Sequence, residues 1–349
     1  MKYISKLVLV LLLGLFSSSI FAEDNFKVCW TIYVGWMPWD YGKQAGIVKK
    51  WADKYDISID VVQINDYVES INQYTAGGFD GCTMTNMDAL TIPAAGGVDS
   101  TALIVGDFSN GNDGVVLKGK KSLKAIKGQK VNLVELSVSH YLLARGLDSV
   151  GLKEKDIAVV NTSDSDMVAV YGTDSVTAVS TWNPLLSEIT AMPKSYKVFD
   201  SSQIPGEIID LMVVNTKTLQ ANPKLGKALA GAWYEIMRTM QGKSKKAIKS
   251  RKLMAKASGT DLKGYDAQLA TTEMFYKAKD AVKFTNSPKL KTTMKYVAEF
   301  SFAHGLLGEG APNAGFIGIE TPAGVFGSKN NIKLRFDPSY MDMAAKGKL

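Results

Sequence analysis

Three acidic residues, Asp40, Asp88 and Glu135, each stand just after a predicted strand. Glu135 is the only formally charged residue between positions 131 and 143. In open parallel sheets, ligands bind beyond the carboxyl ends of the strands, so a carboxylate there can face a bound molecule. Asp88 could instead cap the helix that follows it, and Asp40 could be solvated at the rim. The pattern predicts a polar cleft that offers carboxylates.

Aromatic residues crowd the same loops. Trp36 lies in a predicted turn, Tyr67 opens a predicted helix, and Trp182 stands just before Pro184, a residue suited to the first helical position. Faces of aromatic rings attract positive charge, so rings together with carboxylates predict a box for a small cation. The alternative is packing in the interior, which we expect for Trp30 because it lies within a strand.

The charge distribution also favours a cationic ligand. No Lys or Arg occurs from position 55 to 117 or from 156 to 193, although these segments supply many of the strand ends and hold many acidic residues. The formal net charge of +7 comes instead from Lys118 to Lys130 and from the carboxyl-terminal helices, including Lys243 to Lys246 and Lys249 to Lys252. We interpret those helices as solvated faces; contact with anionic lipid or a transporter is the alternative.

Residues for catalysis are scarce. The chain has two histidines, His140 and His304, and no nucleophile motif, zinc spacing, phosphate-binding loop or dinucleotide fingerprint. We therefore expect no enzyme, no metal, no cofactor and no nucleic acid. Cys29 and Cys82 lie on two predicted strands, where an oxidising compartment would permit a disulfide; two buried thiols are the alternative.

The amino end predicts export. Lys2 and Lys6 precede an apolar run from Leu7 to Phe16, and Ala22 closes a short stretch of small residues. This is the pattern of a cleavable secretory signal over residues 1–22. No cysteine follows the cleavage point, so we expect a periplasmic protein without a lipid anchor.

The rest of the chain alternates predicted strands and helices, which favours an α/β fold with parallel sheets. Its length exceeds what one core usually holds, so two lobes are expected. We predict a two-lobed clamshell (type II), each lobe a mostly parallel sheet flanked by helices. One lobe comprises residues 23–107 and 210–349, and the other comprises residues 108–209, with two hinge crossings near Asp107 and Glu207.

Three segments carry a family resemblance: Gly35 to Trp39, Tyr74 to Gly81, and Val138 to Leu143. With them the chain resembles the taurine/nitrate/sulfonate class of solute-binding proteins of ABC importers. Within that class, GWMPWDYGKQ and TWNPLLSEI are similar to the urea-carboxylase-associated branch that imports guanidine. The resemblance implies uptake of a nitrogen compound, ABC permease subunits as partners and a monomeric clamshell.

Guanidinium suits the predicted cleft, because it is a planar cation that only donates hydrogen bonds. We expect Asp88 and Glu135 to accept in its plane and Trp36 and Trp182 to stack on its faces. Further contacts are expected from the polar residues Tyr67, Thr85, Asn86 and Asp40. Urea, a quaternary amine or an amino-sulfonate remain open as ligands. So do a sensory role and an enzyme similar to thiamine-pyrimidine synthases, although those carry a cysteine cluster that is missing here.

Overall fold

The computed structural model describes residues 24–349, so the predicted signal at 1–22 lies outside the described residues. These residues form fourteen strands and fourteen α-helices. The strands are β1 (Asp24–Trp30), β2 (Ile57–Gln63), β3 (Gly81–Thr85), β4 (Ser100–Ser109), β5 (Asp113–Lys118), β6 (Lys130–Leu133), β7 (Ala158–Asn161), β8 (Ala178–Trp182), β9 (Ser195–Asp200), β10 (Ile209–Asn215), β11 (Thr272–Met274), β12 (Gly318–Thr321), β13 (Gly324–Phe326) and β14 (Ile332–Phe336).

The helices cover both sheets. They are α1 (Met37–Gln44), α2 (Ile47–Asp53), α3 (Tyr67–Thr75), α4 (Asn86–Ala89), α5 (Val138–Ser149), α6 (Met167–Tyr171), α7 (Leu185–Thr190), α8 (Thr216–Ala221), α9 (Pro223–Met240), α10 (Lys245–Ala257), α11 (Leu262–Leu269), α12 (Ala278–Thr285), α13 (Pro288–Ala303) and α14 (Ser339–Ala345). Among residues 24–349, no helix has both the length and the apolarity needed to cross a bilayer.

The first lobe is built on a nine-stranded sheet. Its strands run in the order β13-β12-β14-β4-β10-β3-β1-β2, with β11 beside β4. Strands β1, β2 and β3 pair in parallel, because a helix separates each from the next. Strand β10 returns from the other lobe and pairs antiparallel with both β3 and β4.

The second lobe has a five-stranded sheet in the order β7-β6-β8-β5-β9. Strand β6 is parallel to β7 and β8, whereas β5 is antiparallel to β8 and β9. The chain enters this lobe between Ser109 and Asp113 and leaves it between Asp200 and Ile209. The predicted two-lobed α/β clamshell is confirmed. Both sheets combine parallel and antiparallel pairs, because β10 and β5, the strands next to the crossings between lobes, run antiparallel to their neighbours.

Some elements differ from the sequence prediction. The alternation of strands and helices predicts one helix between β1 and β2, but this stretch is divided into α1 and α2, because Gly46 adopts a left-handed backbone conformation (φ 70°) that ends a helical run. The carboxyl-terminal Gly- and Pro-rich segment forms three short strands, β12, β13 and β14, of which β14 (IKLRF) alternates apolar and charged residues. Arg335 of β14 fastens this tail through ion pairs with Asp99 at 2.8 Å and Glu320 at 2.6 Å.

The two cysteines are joined in a disulfide between adjacent strands. Strands β1 and β3 are parallel neighbours, and their register places Cys29 directly opposite Cys82. The Cα–Cα distance of 4.4 Å lies within the range that a disulfide spans. Of the two alternatives that the sequence left open, the structure has the bridge.

Candidate functional site

A small cavity lies where the two lobes meet. Its walls in the first lobe are Tyr33, Trp36, Tyr67, Thr85 and Asp210, and in the second lobe Asp113, Val138 and Trp182. The enclosed volume is about 10 Å³, close to the least that a water-sized molecule needs. In this conformation the space between the lobes therefore admits about one water-sized molecule.

Two buried aspartates from adjacent strands lie together at the site, and Asp210 is the one that lines the cavity. The register of β4 and β10 sets Asp107 opposite Asp210, and both side chains are buried. The hydroxyl of Tyr33 donates to Oδ2 of Asp210 at 2.9 Å and, at longer range, to Oδ1 of Asp107 at 3.2 Å. Oδ2 of Asp107 is buried without a hydrogen-bond partner. Two carboxyl groups thus share one neutral donor.

Asp88 is a third buried carboxyl group, held from both lobes. Its Oδ2 accepts from the hydroxyl of Tyr67 at 2.6 Å, from Oγ1 of Thr85 at 2.9 Å and from the backbone N–H of Val138 at 3.3 Å. Val138 belongs to the second lobe, so this bond joins the lobes. Oδ1 of Asp88 is buried and has no partner. The cap of α4 is Thr85, which leaves Asp88 free of the capping role.

Asp113 supplies a fourth buried carboxyl group from the second lobe. It is the first residue of β5 and stands opposite Trp182, the last residue of β8. Its Oδ2 accepts a hydrogen bond from the hydroxyl of Ser109. The first crossing between lobes therefore places an acid directly at the cavity.

Burial dominates the electrostatics of this group. It raises the pKa of Asp88 to about 6 and the pKa of Asp113 to about 7. Burial also raises the pKa of Asp107, and it raises the pKa of Asp210 well above its usual range, with Asp107 raising it further. No Lys or Arg is among the described residues that line the cavity. The site is thus poised to accept positive charge from a ligand.

Aromatic rings from both lobes enclose the remaining sides. The ring centroid of Trp36 lies 4.9 Å from that of Tyr33 and 5.6 Å from that of Tyr67. The ring of Trp182 meets Tyr67 edge-on at 5.5 Å, and its Nε1–H donates to the carbonyl of Ile32 at 3.4 Å, which joins the lobes again. The structure therefore brings together Trp36, Tyr67 and Trp182 as the sequence predicts.

Three predicted ligand contacts lie elsewhere. Glu135 is exposed, because the loop turns outward at Leu136 (φ 60°), so it cannot accept in the plane of a ligand held in the cavity. Asp40 lies on the outer side of α1 and accepts from Gln44 at 2.7 Å. Asn86 is buried, but its amide fastens the second crossing: it donates to the carbonyl of Glu207 at 3.0 Å and accepts from the N–H of Ile209 at 2.9 Å.

The sequence analysis missed four residues that line the cavity, Tyr33, Asp113, Val138 and Asp210. It also missed Asp107, which stands opposite Asp210 on the neighbouring strand. Asp107 and Asp210 are single charges inside otherwise apolar strands, a signal that a search for buried carboxylates could have used. Asp113 was hidden in a run of turn residues. Three of the buried acids therefore lie beside the crossings between lobes, and not in the loops that follow the parallel strands.

Two α/β lobes that close on a buried cavity define the fold of periplasmic binding proteins. Residues 31–256 match the NMT1-like family, more than half of the chain, so the protein belongs to that family. A protein of Brucella abortus strain 2308 named as a binding protein is 30% identical over 102 residues. That match covers 29% of this chain and 31% of the relative, so the chain spans about a third of the relative's length.

Solved structures share the fold. The alkanesulfonate-binding protein of Xanthomonas axonopodis pv. citri, bound to MOPS, has a TM-score of 0.68 at 16% identity over 82% of this chain and 96% of that one. The nitrate-binding protein of Synechocystis PCC 6803 has a TM-score of 0.58 at 12% identity over 93% and 99%. All these relatives are named as binding proteins, in agreement with the expectation of a binder rather than an enzyme. The guanidine-importing branch stays a prediction.

We expect the ligand-free protein to lose stability as the pH rises. The carboxyl groups of Asp88 and Asp113 have pKa values of about 6 and about 7 when folded, against about 3.9 when unfolded. Between these values the folded state binds more protons, so the free energy of unfolding falls with rising pH, by on the order of 3 kcal/mol from about pH 5 to about pH 8. Urea unfolding across this range measures it.

The variant Asp113→Asn is the control, because it removes one of the titrating groups and should reduce the slope. The pKa values of Glu154 and Glu235 are lowered, so both groups stay ionised between about pH 5 and about pH 8. Their contribution to the free energy of unfolding is lost only at lower pH and does not affect this range. A free energy of unfolding that rises between about pH 5 and about pH 8 would contradict buried, unpaired acids.

Gly35 makes room for the acidic group, and this is testable. A Cβ at Gly35 would lie 2.5 Å from the ring of Tyr33 and 2.7 Å from Oδ2 of Asp107. We expect Gly35→Ala to destabilise the fold by about 1–3 kcal/mol through overpacking and to weaken ligand binding. Gly310→Ala, at a position with open space, is the matched control and should change neither. Equal unfolding midpoints for the two variants would refute this role of Gly35.

Proposed function

We propose that the protein is a periplasmic solute-binding protein that delivers a small cation to an ABC importer, and that this cation is guanidinium. The observation that carries the proposal is the set of four buried carboxyl groups beside one aromatic cavity: Asp88, Asp107, Asp113 and Asp210. The predicted secretory signal and the binding-protein fold support the location and the class of partner.

The sign of the ligand follows from the cost of burial. An ionised carboxylate without a partner is expensive to bury, by several kcal/mol in real proteins. A bound cation would offset that cost, whereas an anion would be repelled by the same groups. The structures of the same fold named above include binders of an alkanesulfonate and of nitrate, both anions. The present cavity is lined by two acids and by no Lys or Arg among the described residues, which favours a cationic ligand here.

The choice of guanidinium rests on hydrogen bonding. Guanidinium is a compact, planar, donor-only ion, and the lobes must part slightly to admit it, because the present volume of about 10 Å³ holds no more than a single water. The carboxyl groups of Asp113 and Asp210 line the cavity and offer acceptors for N–H donors, with Asp88 and Asp107 buried close by. The rings of Trp36 and Tyr67 provide faces for stacking. A quaternary amine would leave these acceptors unpaired, because it has no N–H to donate.

Urea is the second candidate, and one observation favours it. Nε1 of Trp36 is a buried donor without a partner, so it could donate to a carbonyl oxygen. Protonated aspartic acids could do the same. The two ligands therefore require opposite protonation of the site: guanidinium needs ionised carboxylates, and urea is served by protonated ones.

Ligand binding and lobe closure are coupled in this proposal. Asp210 and Trp36 come from the first lobe, and Asp113 and Trp182 come from the second. A ligand that contacts both sets is bound fully only in the closed state, so it shifts the population toward closure. The closed form is then the one that an importer would receive.

Calorimetry across pH tests the ligand. Guanidinium should bind more tightly at about pH 8 than at about pH 5 and should release protons on binding, because it competes with protons for Asp113 and its neighbours. Urea affinity should fall over the same range. Methylguanidinium, choline, taurine and nitrate complete the panel. Tight binding of taurine or nitrate with no response to guanidinium would refute a cation site.

Single substitutions test the residues. We expect Asp113→Asn and Asp210→Asn each to lower guanidinium affinity by roughly 30-fold or more, since a charge-assisted contact is lost. Asp113→Asn should not lower the free energy of unfolding near about pH 8, because the carboxyl group of Asp113, with its pKa raised to about 7, is ionised there and its burial without a counter-charge is costly. Glu135→Gln is the matched control and should leave the affinity within about twofold, since its side chain is exposed outside the cavity. Equal losses in all three variants would contradict the assignment.

A further inference from the structure

Helix α10 presents a continuous row of exposed lysines. Lys245, Lys249, Lys252 and Lys256 follow one another at intervals of three and four residues, so they lie on one side of the helix. Lys243 and Lys246 extend the same surface, which we name the lysine face and define by these six residues.

The opposite side of the helix is fixed to the first lobe. Met254 and Ala255 are buried, and α10 packs against α9, α11 and α1. Arg251 is turned inward, where it pairs with Asp266 at 2.7 Å and donates to the carbonyls of Met240 and Gly242. The helix is therefore held rigidly, and its orientation leaves the lysines directed away from the body.

Among the described residues, none of the six lysines of the lysine face forms an ion pair, although Asp261 and Asp266 line a groove beside Lys252. No acidic residue occurs from position 243 to 258. Within the described residues, α10 takes part in one ion pair, between Arg251 and Asp266. Other surface lysines have partners four residues away, such as Lys49 with Asp53 and Lys346 with Asp342. Like charges at this spacing destabilise a helix, so an acidic partner outside the molecule would relieve the repulsion.

The composition of the surface indicates the kind of partner. Protein interfaces are enriched in aromatic residues and Arg and depleted in Lys, whereas this surface is rich in Lys and has no exposed aromatic ring on the helix. Anionic lipid attracts each lysine near the surface without requiring shape complementarity. Leu253, 43% exposed beside the row, can enter the headgroup region.

We propose that the lysine face docks the protein on an anionic phospholipid bilayer through its first lobe. The interaction is electrostatic, so it holds the protein near the membrane reversibly and leaves the second lobe free to open and close. It does not depend on which ligand the cleft binds.

Flotation with vesicles tests the docking. The mature protein should associate with phosphatidylcholine vesicles that contain phosphatidylglycerol, and should neither bind pure phosphatidylcholine vesicles nor stay bound at high salt. The triple variant Lys249→Gln, Lys252→Gln, Lys256→Gln should bind at least roughly tenfold more weakly, because several attractive charges are lost.

A control variant with the same net charge separates a local face from general basicity. Lys120→Gln, Lys121→Gln, Lys124→Gln removes three exposed lysines from the second lobe. It should retain most of the vesicle binding. Equal losses in the two triple variants, or no binding of the unaltered protein to anionic vesicles, would overturn the proposal. Retained vesicle binding by Asp113→Asn would show that docking and ligand binding are separate, so that one can fail without the other.

Discussion

Four carboxyl groups are buried at the junction of two lobes, and no positive side chain lines the space between them. Everything else in the cleft is arranged around the resulting electrostatic cost. Tyr33, Tyr67, Thr85 and Ser109 each donate a hydroxyl group to one of the acids, which lowers the cost without cancelling it. Neutral donors cannot supply a counter-charge. Below the raised pKa values of about 6 for Asp88 and about 7 for Asp113 these acids therefore hold protons, and the ligand-free molecule keeps a site that is less stable than an apolar core would be.

The mixed sheets explain how acids from distant parts of the chain meet. Because β10 runs antiparallel to β3 and β4, its first residues lie beside the last residues of both, and Asp210 faces Asp107 and Thr85 across the sheet. Strand β5 begins at the first crossing and lies antiparallel to β8, so its first residue, Asp113, meets Trp182 at the end of β8. If all strands of each lobe were parallel, the first residues of β5 and β10 would lie at the edge of the sheet away from the cavity. The returning strands thus supply half of the acids, and they do so at the hinge, where small changes in lobe angle alter their distances.

The sequence allowed the lobes, the crossings and the aromatic walls to be predicted, because those depend on periodicity and on turn residues such as Pro184. The cleft position of Asp88 also followed from its place after β3. Glu135 illustrates what could not be predicted: its isolation among apolar residues marked a buried charge, but a single left-handed residue, Leu136, turns the loop outward. Asp107 and Asp210 illustrate the converse. The partner of a charged residue inside an apolar strand can be predicted only when the register of the neighbouring strand is known. No local sequence pattern gives the register of β10 against β4.

The charge of the cleft opposes that of the molecule as a whole. The chain is basic, with a formal net charge of +7, yet the open grooves beside the cavity are lined by Asp164 and Glu188 on one side and by Asp66, Glu69 and Glu135 on the other, without Lys or Arg. Salt screens charges beyond about 8 Å at physiological ionic strength, so a cation in either groove would experience mainly the acids that line it. One of the grooves also includes Ala257, Ser258 and Gly259 at the end of α10, so the acidic surface and the lysine face adjoin each other there. The two charged surfaces of the molecule are therefore neighbours, and salt screening keeps the influence of each one local.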